Sequence, residues 1–130
     1  DSVVAVFTKY LNHIVEVRDG YAVTEPGVYY RDFEKATLAK GRQILPSYPA
    51  SREIAAMGGI VNNDSGGERT LEYGKTRDYV EEVEVVLSDG SKATFKERSA
   101  LFPSSVSLIA RWKSTTATLS DAAGLLSAIK

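Results

Sequence analysis

The chain has no cysteine and a single histidine, His13. Disulfides, thiolate catalysis and cysteine metal sites are therefore excluded, and so is any multi-histidine metal centre. A Ser–His–Asp triad would have to use His13, which falls in a strand-like segment. An excess of charge is also lacking: 16 Lys and Arg stand against 17 Asp and Glu, for a net charge of −1. A nucleic-acid partner is not expected, since such proteins carry a basic excess or a basic face. No uninterrupted apolar run is long enough to span a bilayer, and no basic-then-apolar leader is visible, so a cytoplasmic location is expected. What is present is ordinary for one soluble globular domain with a modest core: 130 residues, 43% hydrophobic and 25% charged.

Hydrophobic patterning divides the chain into short elements. Residues 2–8 (S-V-V-A-V-F-T) are β-branched and apolar and predict a buried strand. His13 to Val17 and Tyr21 to Glu25 predict a hairpin across a D-G turn. Asp32 to Lys40 predict a helix with Asp32 as N-cap and Gly41 as stop. Pro46-Ser47-Tyr48-Pro49 predicts an extended turn fixed by its prolines. Ser51 to Met57 predict a short helix capped by Ser51 and ended by Gly58-Gly59. Tyr79 to Leu87 alternate Val and Glu and predict a strand, joined by Ser88-Asp89-Gly90-Ser91 to a returning strand, Lys92 to Lys96. Beyond Glu97 the composition shifts to Ser, Thr and Ala. Two parts are thus expected, 1–97 and 98–130, the second helical in part over Leu119 to Ile129.

Five of the ten glycines fall between Gly58 and Gly74, with two Asn and an Asp among them. Such a stretch has little apolar surface and suits backbone that turns sharply or approaches something flat or charged. Irregular surface loop is the plain alternative. The nearby Arg69, Lys75 and Arg77 are interleaved with Glu68, Glu72 and Asp78, which predicts a solvated, ion-paired face. Glu81, Glu82 and Glu84 invite a metal reading, but Glu81 points opposite to the other two on a strand, so a solvated strand edge is expected. Tyr29-Tyr30 are expected to pack at a helix start, and Trp112 to anchor a core or an interface.

The order T-E-P-G-V, L-P-S-Y-P-A-S, G-G-I-V-N-N-D-S-G-G, Y-G-K-T-R-D-Y-V and E-V-V-L-S-D-G resembles the FAD-binding (PCMH-type) domain of the vanillyl-alcohol-oxidase-type flavoproteins. The branch it is similar to is that of D-lactate dehydrogenases and the FAD-binding subunit of glycolate oxidase. The likeness covers roughly residues 3–96. It implies an α+β fold, here a partial FAD-binding domain of second-subdomain type, with a small, mainly antiparallel sheet and flanking short helices. It implies FAD as cofactor and assigns cofactor-binding positions. Pro46, Pro49 and Ser51 match a loop beside the flavin. Gly58, Gly59, Asn62, Asn63, Ser65 and Gly66 match the loop along the isoalloxazine and ribityl chain. Tyr73, Gly74 and Asp78 match the turn back into the sheet, and Val86 lies on a strand near the adenosine end. Glycine, Asn and Ser suit such a ligand, offering close backbone approach and neutral donors and acceptors.

Departures limit what the resemblance implies. The family's R-G-x-G-T pyrophosphate loop and its substrate domain have no counterpart in this stretch. Val6 stands where Asp is frequent, Asp64 where Ala is usual, and Tyr48 where an acidic residue is usual. No catalytic residue and no metal ligand is assigned. The expected function is the FAD-binding portion of an FAD-linked oxidoreductase of 2-hydroxy acids (D-lactate or glycolate type), incomplete and inactive alone, with weak or absent FAD binding. The alternative is a non-catalytic remnant of the fold that self-associates or binds a partner. A homo-oligomer or a complementing chain is expected in either case, because a half-domain leaves its cofactor face uncovered.

Overall fold

The computed structural model describes residues 4–87, 89–96 and 107–111, the last as backbone. The D-G hairpin forms as the sequence predicts. β1 (Ile14–Arg18) and β2 (Tyr21–Thr24) pair antiparallel, with Arg18 opposite Tyr21 across a two-residue turn. Gly20 takes φ 85, a left-handed backbone that glycine adopts without steric cost. The second hairpin joins β3 (Val80–Val86) to β4 (Lys92–Lys96). Glu82 and Glu84 face cations of β4, Lys96 at 2.9 Å and Lys92 at 4.0 Å. Their charges are matched across the strands, and among the described residues no group of three or more His, Asp or Glu could hold a metal.

The two hairpins belong to one five-stranded sheet, in the order β1-β2-β5-β3-β4, where β5 is Ser107–Arg111. β5 runs parallel to both β2 and β3. The sheet is therefore mixed, with two antiparallel and two parallel pairings, instead of mainly antiparallel. Residues 25–79 connect β2 to β3, which run parallel to each other on either side of β5; a same-direction return of this kind needs a long crossover. β5 is the one described segment of the part expected after residue 97. The helix expected over Leu119 to Ile129, and Trp112, lie outside the described residues.

The crossover carries the helices. α2 is Tyr30–Gly41, two residues earlier at its start than expected. Its N-cap is Tyr29 and not Asp32, which sits in the first turn. Tertiary bonds set that start: the Tyr30 amide donates to the Ala55 carbonyl at 2.9 Å, and Tyr29 bridges Ala56. Arg42, at φ 52, ends the helix in place of Gly41. The run 2–8 does not form the expected strand over its described part. Residues 4–6 are irregular, and Phe7–Tyr10 form a single helical turn, α1. Val4 and Val6 remain exposed. A β-branched run becomes a strand only where it finds a pairing edge. This one is instead pinned to the crossover, where the Gly27 amide donates to the Leu11 carbonyl at 2.7 Å.

The core lies between the sheet and this crossover. Tyr30 and Phe33 of α2 join Leu45, Met57, Ile60, Tyr79, Val80, Val83 and Val85. The Tyr30 ring lies 5.6 Å from that of Tyr48, and its hydroxyl donates to the Leu45 carbonyl at 2.9 Å. Gln43, also buried, holds the first hairpin turn by accepting from the Gly20 amide and donating to Asp19.

Burial raises the phenol of Tyr30 well above its ordinary range, helped by Glu34. The Tyr79 phenol is pushed up to about 12, by burial first and then by Asp78 and Tyr73. A phenol whose folded value exceeds its unfolded value of about 10 stabilises the fold fully below that pH. The contribution is lost as pH rises through the folded value. The melting temperature is therefore expected to fall steeply as pH rises from about 10 towards the folded value of Tyr79. Circular dichroism melts on the wild type and Tyr79→Phe check this. A variant that loses none of the alkaline slope would show that Tyr79 is not the source.

Candidate functional site

The dipeptide Gly58-Gly59 does not end a helix; it opens one. Ser51–Ile54 form a turn, in which the Ser51 carbonyl accepts from the amides of Ile54 and Ala55 at 3.0 Å each. The helix itself, α3, is Met57–Asn62. Its first two amides are satisfied by the chain leaving β2: Met57 donates to the Val28 carbonyl and Gly58 to the Pro26 carbonyl, both at 2.8 Å. That docking explains Gly58, because a Cβ there would lie 2.5 Å from the Pro26 Cβ. The same docking occupies the Gly58 amide, so that group is not free to meet a ligand.

Gly59 differs. It is exposed, and a Cβ built there meets nothing within 4 Å. Neither packing nor a left-handed backbone requires glycine at this position, while glycine inside a helix costs about 1 kcal/mol relative to alanine. The space it faces is a hollow of about 420 Å³, within the size range of small-molecule sites. Two walls enclose it: Ala5, Val6, Phe7 and Thr8 with Pro26 on one side, and Ala56, Gly58, Gly59 and Asn62 of the α3 segment on the other. None of these residues is charged. Thr8 and Asn62 bring the only polar side chains among them. An open cleft of this kind suits a flat, uncharged group, and among its described lining residues there is no cation to set against a phosphate.

Three of the sequence-derived positions, Gly58, Gly59 and Asn62, line this hollow, and the others are not among its described lining residues. Pro46 is buried, Pro49 half-buried and Ser51 exposed in the proline loop. Asn63 caps α3, its amide donating to the Gly59 carbonyl at 3.0 Å. Ser65 is buried, and its carbonyl accepts from the amide and the hydroxyl of Thr76 at 3.0 and 2.7 Å. Gly66 lies against Thr70, the first residue of the short helix α4 (Thr70–Tyr73). The Tyr73 carbonyl accepts from the Tyr79 hydroxyl at 2.5 Å. Gly74 takes φ 79 beside Asp78, whose carboxylate accepts from the Lys75 amide at 2.8 Å at the start of the 3₁₀ turn Thr76–Tyr79. Val86 lies near the far end of β3, opposite Lys92.

Residue-by-residue reading of the glycine-rich stretch missed the other wall, 5–8 and Pro26. A signal for it existed in Pro26-Gly27, a Pro-Gly pair outside any hairpin. A Cβ on Gly27 would lie 2.6 Å from the Leu11 carbonyl oxygen, so the glycine marks the close approach that seats this wall. Asp64, which stands where the resemblance has Ala, would bring an unmatched negative charge into the glycine-rich stretch if it were unpaired. The structure pairs it instead: its Oδ2 accepts from Arg77 Nε at 2.7 Å, its Oδ1 accepts from the Arg77 amide at 3.0 Å, and Lys75 Nζ lies 3.8 Å away. The guanidinium of Arg77 is raised above its ordinary value by that hydrogen bond and charge. His13, at the start of β1, sits with Nδ1 2.8 Å from Glu25, away from the hollow's lining.

Among the described residues no helix is long and apolar enough to cross a membrane. The family model described as "FAD binding domain" matches residues 1–95. The glycolate oxidase subunit GlcD of Bacillus subtilis is 43% identical over 84 residues, 63% of this chain and 18% of that protein. The D-lactate dehydrogenase of Archaeoglobus fulgidus is 34% identical over 76 residues, 58% of this chain and 17% of that protein. The D-2-hydroxyglutarate dehydrogenase of Pseudomonas putida is 30% identical over 94 residues, 71% of this chain and 9% of that protein. This chain thus spans less than a fifth of the length of these relatives. No solved structure matches it. With a family match over residues 1–95 of its 130, the chain belongs to the FAD-binding domain family.

Proposed function

We propose that this chain is the FAD-positioning part of an FAD-linked oxidoreductase that acts on a small 2-hydroxy acid of the D-lactate or glycolate type. The observation that carries the reading is Gly59, a helical glycine with open space above it on an uncharged hollow. Membership of the FAD-binding family and the names of the relatives supply the cofactor and the substrate class. FAD, when bound, supplies the two-electron acceptor for oxidation of the hydroxy acid. The residues of this chain bind and orient it. Gly59 leaves the approach open, Asn62 and Thr8 offer neutral hydrogen-bonding groups, and Pro26 with Phe7 supplies an apolar wall. By family resemblance Pro46, Pro49, Ser51, Asn63, Ser65, Gly66, Tyr73, Gly74, Asp78 and Val86 complete the surround, in a PCMH-type arrangement. No residue of this chain is assigned as the substrate's base. The pyrophosphate is met by groups outside this hollow, and they belong to a complementing segment or chain. The working location is the cytoplasm.

The two adjacent glycines separate packing from ligand access. Gly58→Ala is expected to destabilise by about 1–3 kcal/mol through its collision with Pro26. Gly59→Ala is expected to stabilise by up to about 1 kcal/mol. Thermal and urea melts read both. Equal destabilisation by the two variants would mean that Gly59 is also a packing glycine, and the central observation would fail.

Cofactor binding is read by quenching of free FAD fluorescence on titration with the chain. With no cation in the lining, saturation is expected only above about 1 µM. Gly59→Val is expected to abolish it without loss of melting temperature. No saturation by about 1 mM wild-type chain, or undiminished binding by Gly59→Val, would overturn the proposal.

A further inference from the structure

α3 is only six residues long, and its C-terminal end is held by a side chain that family membership does not assign. Asp64 adopts φ 45, a left-handed backbone that is uncommon outside glycine, Asn and Asp. Its side chain is 11% exposed, against 36% for Arg77. The carboxylate accepts three hydrogen bonds from Arg77, from the amide, Nε and Nη2. Next to it Thr76, fully buried, donates its amide and its hydroxyl to the Ser65 carbonyl, and the Ser47 hydroxyl lies 3.4 Å from that of Thr76. The turn after α3 is thus strapped to the 3₁₀ turn that leads into β3. Asn62, which borders the hollow, is two residues before Asp64.

From this geometry we infer that Asp64 is a positioning residue of the cofactor site: its clamp on Arg77 fixes the C-terminal end of α3 and thereby the placement of Gly59 and Asn62 on the hollow. The inference rests on the flavin reading of that hollow for its functional half. Its structural half stands alone. A helix of six residues with two glycines is far below the length that holds itself together. Its N-terminal end is tied by Met57 and Gly58 to Val28 and Pro26, and its C-terminal end by the turn that Asp64 and Ser65 anchor. Releasing one tether frees the end that carries Asn62. Arg77 also acts without a formal charge in the cleft, since the pair is matched outside the lining residues.

Three variants separate the clamp from general stability. Asp64→Gly keeps the left-handed backbone accessible and removes the carboxylate. Asp64→Asn keeps both the backbone preference and an acceptor for the Arg77 amide. Phe95→Ala weakens the sheet edge at β4 and serves as the destabilised control. Native-state hydrogen exchange on the cofactor-free chain reads the first half. Asp64→Gly is expected to raise exchange at the Ile60 and Asn63 amides about tenfold beyond Phe95→Ala compared at matched global stability, with Asp64→Asn, which keeps the bond to the Arg77 amide but turns an NH2 donor toward the guanidinium, between Asp64→Gly and wild type. FAD titration reads the second half. Asp64→Gly is expected to weaken binding about fivefold or more, Asp64→Asn by less than Asp64→Gly, and Phe95→Ala to stay within about twofold of wild type.

Exchange in α3 that matches the control overturns the clamp. Looser α3 with unchanged FAD affinity overturns its role in the site. A wild-type chain that never saturates with FAD overturns the flavin reading and the site role together, while the exchange measurement still decides the clamp.

Discussion

α3 approaches the chain leaving β2 so closely that no side chain fits between them, and this one contact sets the geometry of the molecule's cleft. Met57 and Gly58 donate to Val28 and Pro26, and the Tyr30 amide returns the favour to Ala55, so the two segments are stitched as neighbouring strands would be. Behind the stitch, Met57, Ile60 and Val61 are buried in the core with Tyr30 and Leu45. In front of it, Pro26 and the α1 turn form one wall and α3 the other. The hollow is what remains when a helix is docked through a glycine and its next residue is also a glycine. A larger residue at 58 would push α3 outward and move both the core face and the open face at once.

Charge is distributed so that it stays out of that space. Arg31 pairs with Glu34 and Glu53, Asp64 with Arg77 and Lys75, Glu82 with Lys96, and Glu84 with Lys92. Apart from the half-buried Asp64–Arg77 pair, exposed pairs of this kind contribute only about 0–1 kcal/mol each, so they are a poor explanation of stability. Their effect on the cleft is clearer. The glycine-rich stretch is surrounded by ionisable residues, yet the lining residues are all neutral. A neutral, partly apolar cleft holds a flat ring by area and a few hydrogen bonds, and leaves recognition of any phosphate to groups elsewhere.

The hairpins were legible because their determinants are local. Asp19-Gly20 and Asp89-Gly90 each place glycine where the backbone turns left-handed, at φ 85 and 83, and the flanking residues alternate. Tyr79 to Leu87 was legible as a strand for the same reason. The misreadings share a cause, which is that distant contacts decided the outcome. A Gly-Gly pair after an apolar run has the local form of a helix stop, and only the approach of Pro26, 32 residues earlier by numbering, makes it a helix start. Asp32 has the chemistry of a cap, but the bond from Tyr30 to Ala55 begins the helix two residues sooner. Residues 4–8 have strand propensity and no strand to pair with among the described residues. The candidate site was partly legible: family motifs included its lining residues Gly58, Gly59, Asn62 and, in T-E-P-G-V, Pro26, whereas residues 5–8 belong to no motif and reach the hollow only through the fold.

The two glycines of α3 show why a local reading cannot separate architecture from function. Each weakens a short helix by about 1 kcal/mol relative to alanine, and neither differs from the other in sequence context. At Gly58 the fold recovers that cost through a buried docking contact and an amide bond to Pro26. At Gly59 a Cβ would meet no atom of the described residues within 4 Å, so no packing contact among them recovers it. A helical glycine that packing does not require and that borders a cleft of neutral described residues is the ground on which the proposal sets the cofactor against this face. The contrast with Gly58 is what separates that proposal from the plain surface-loop reading.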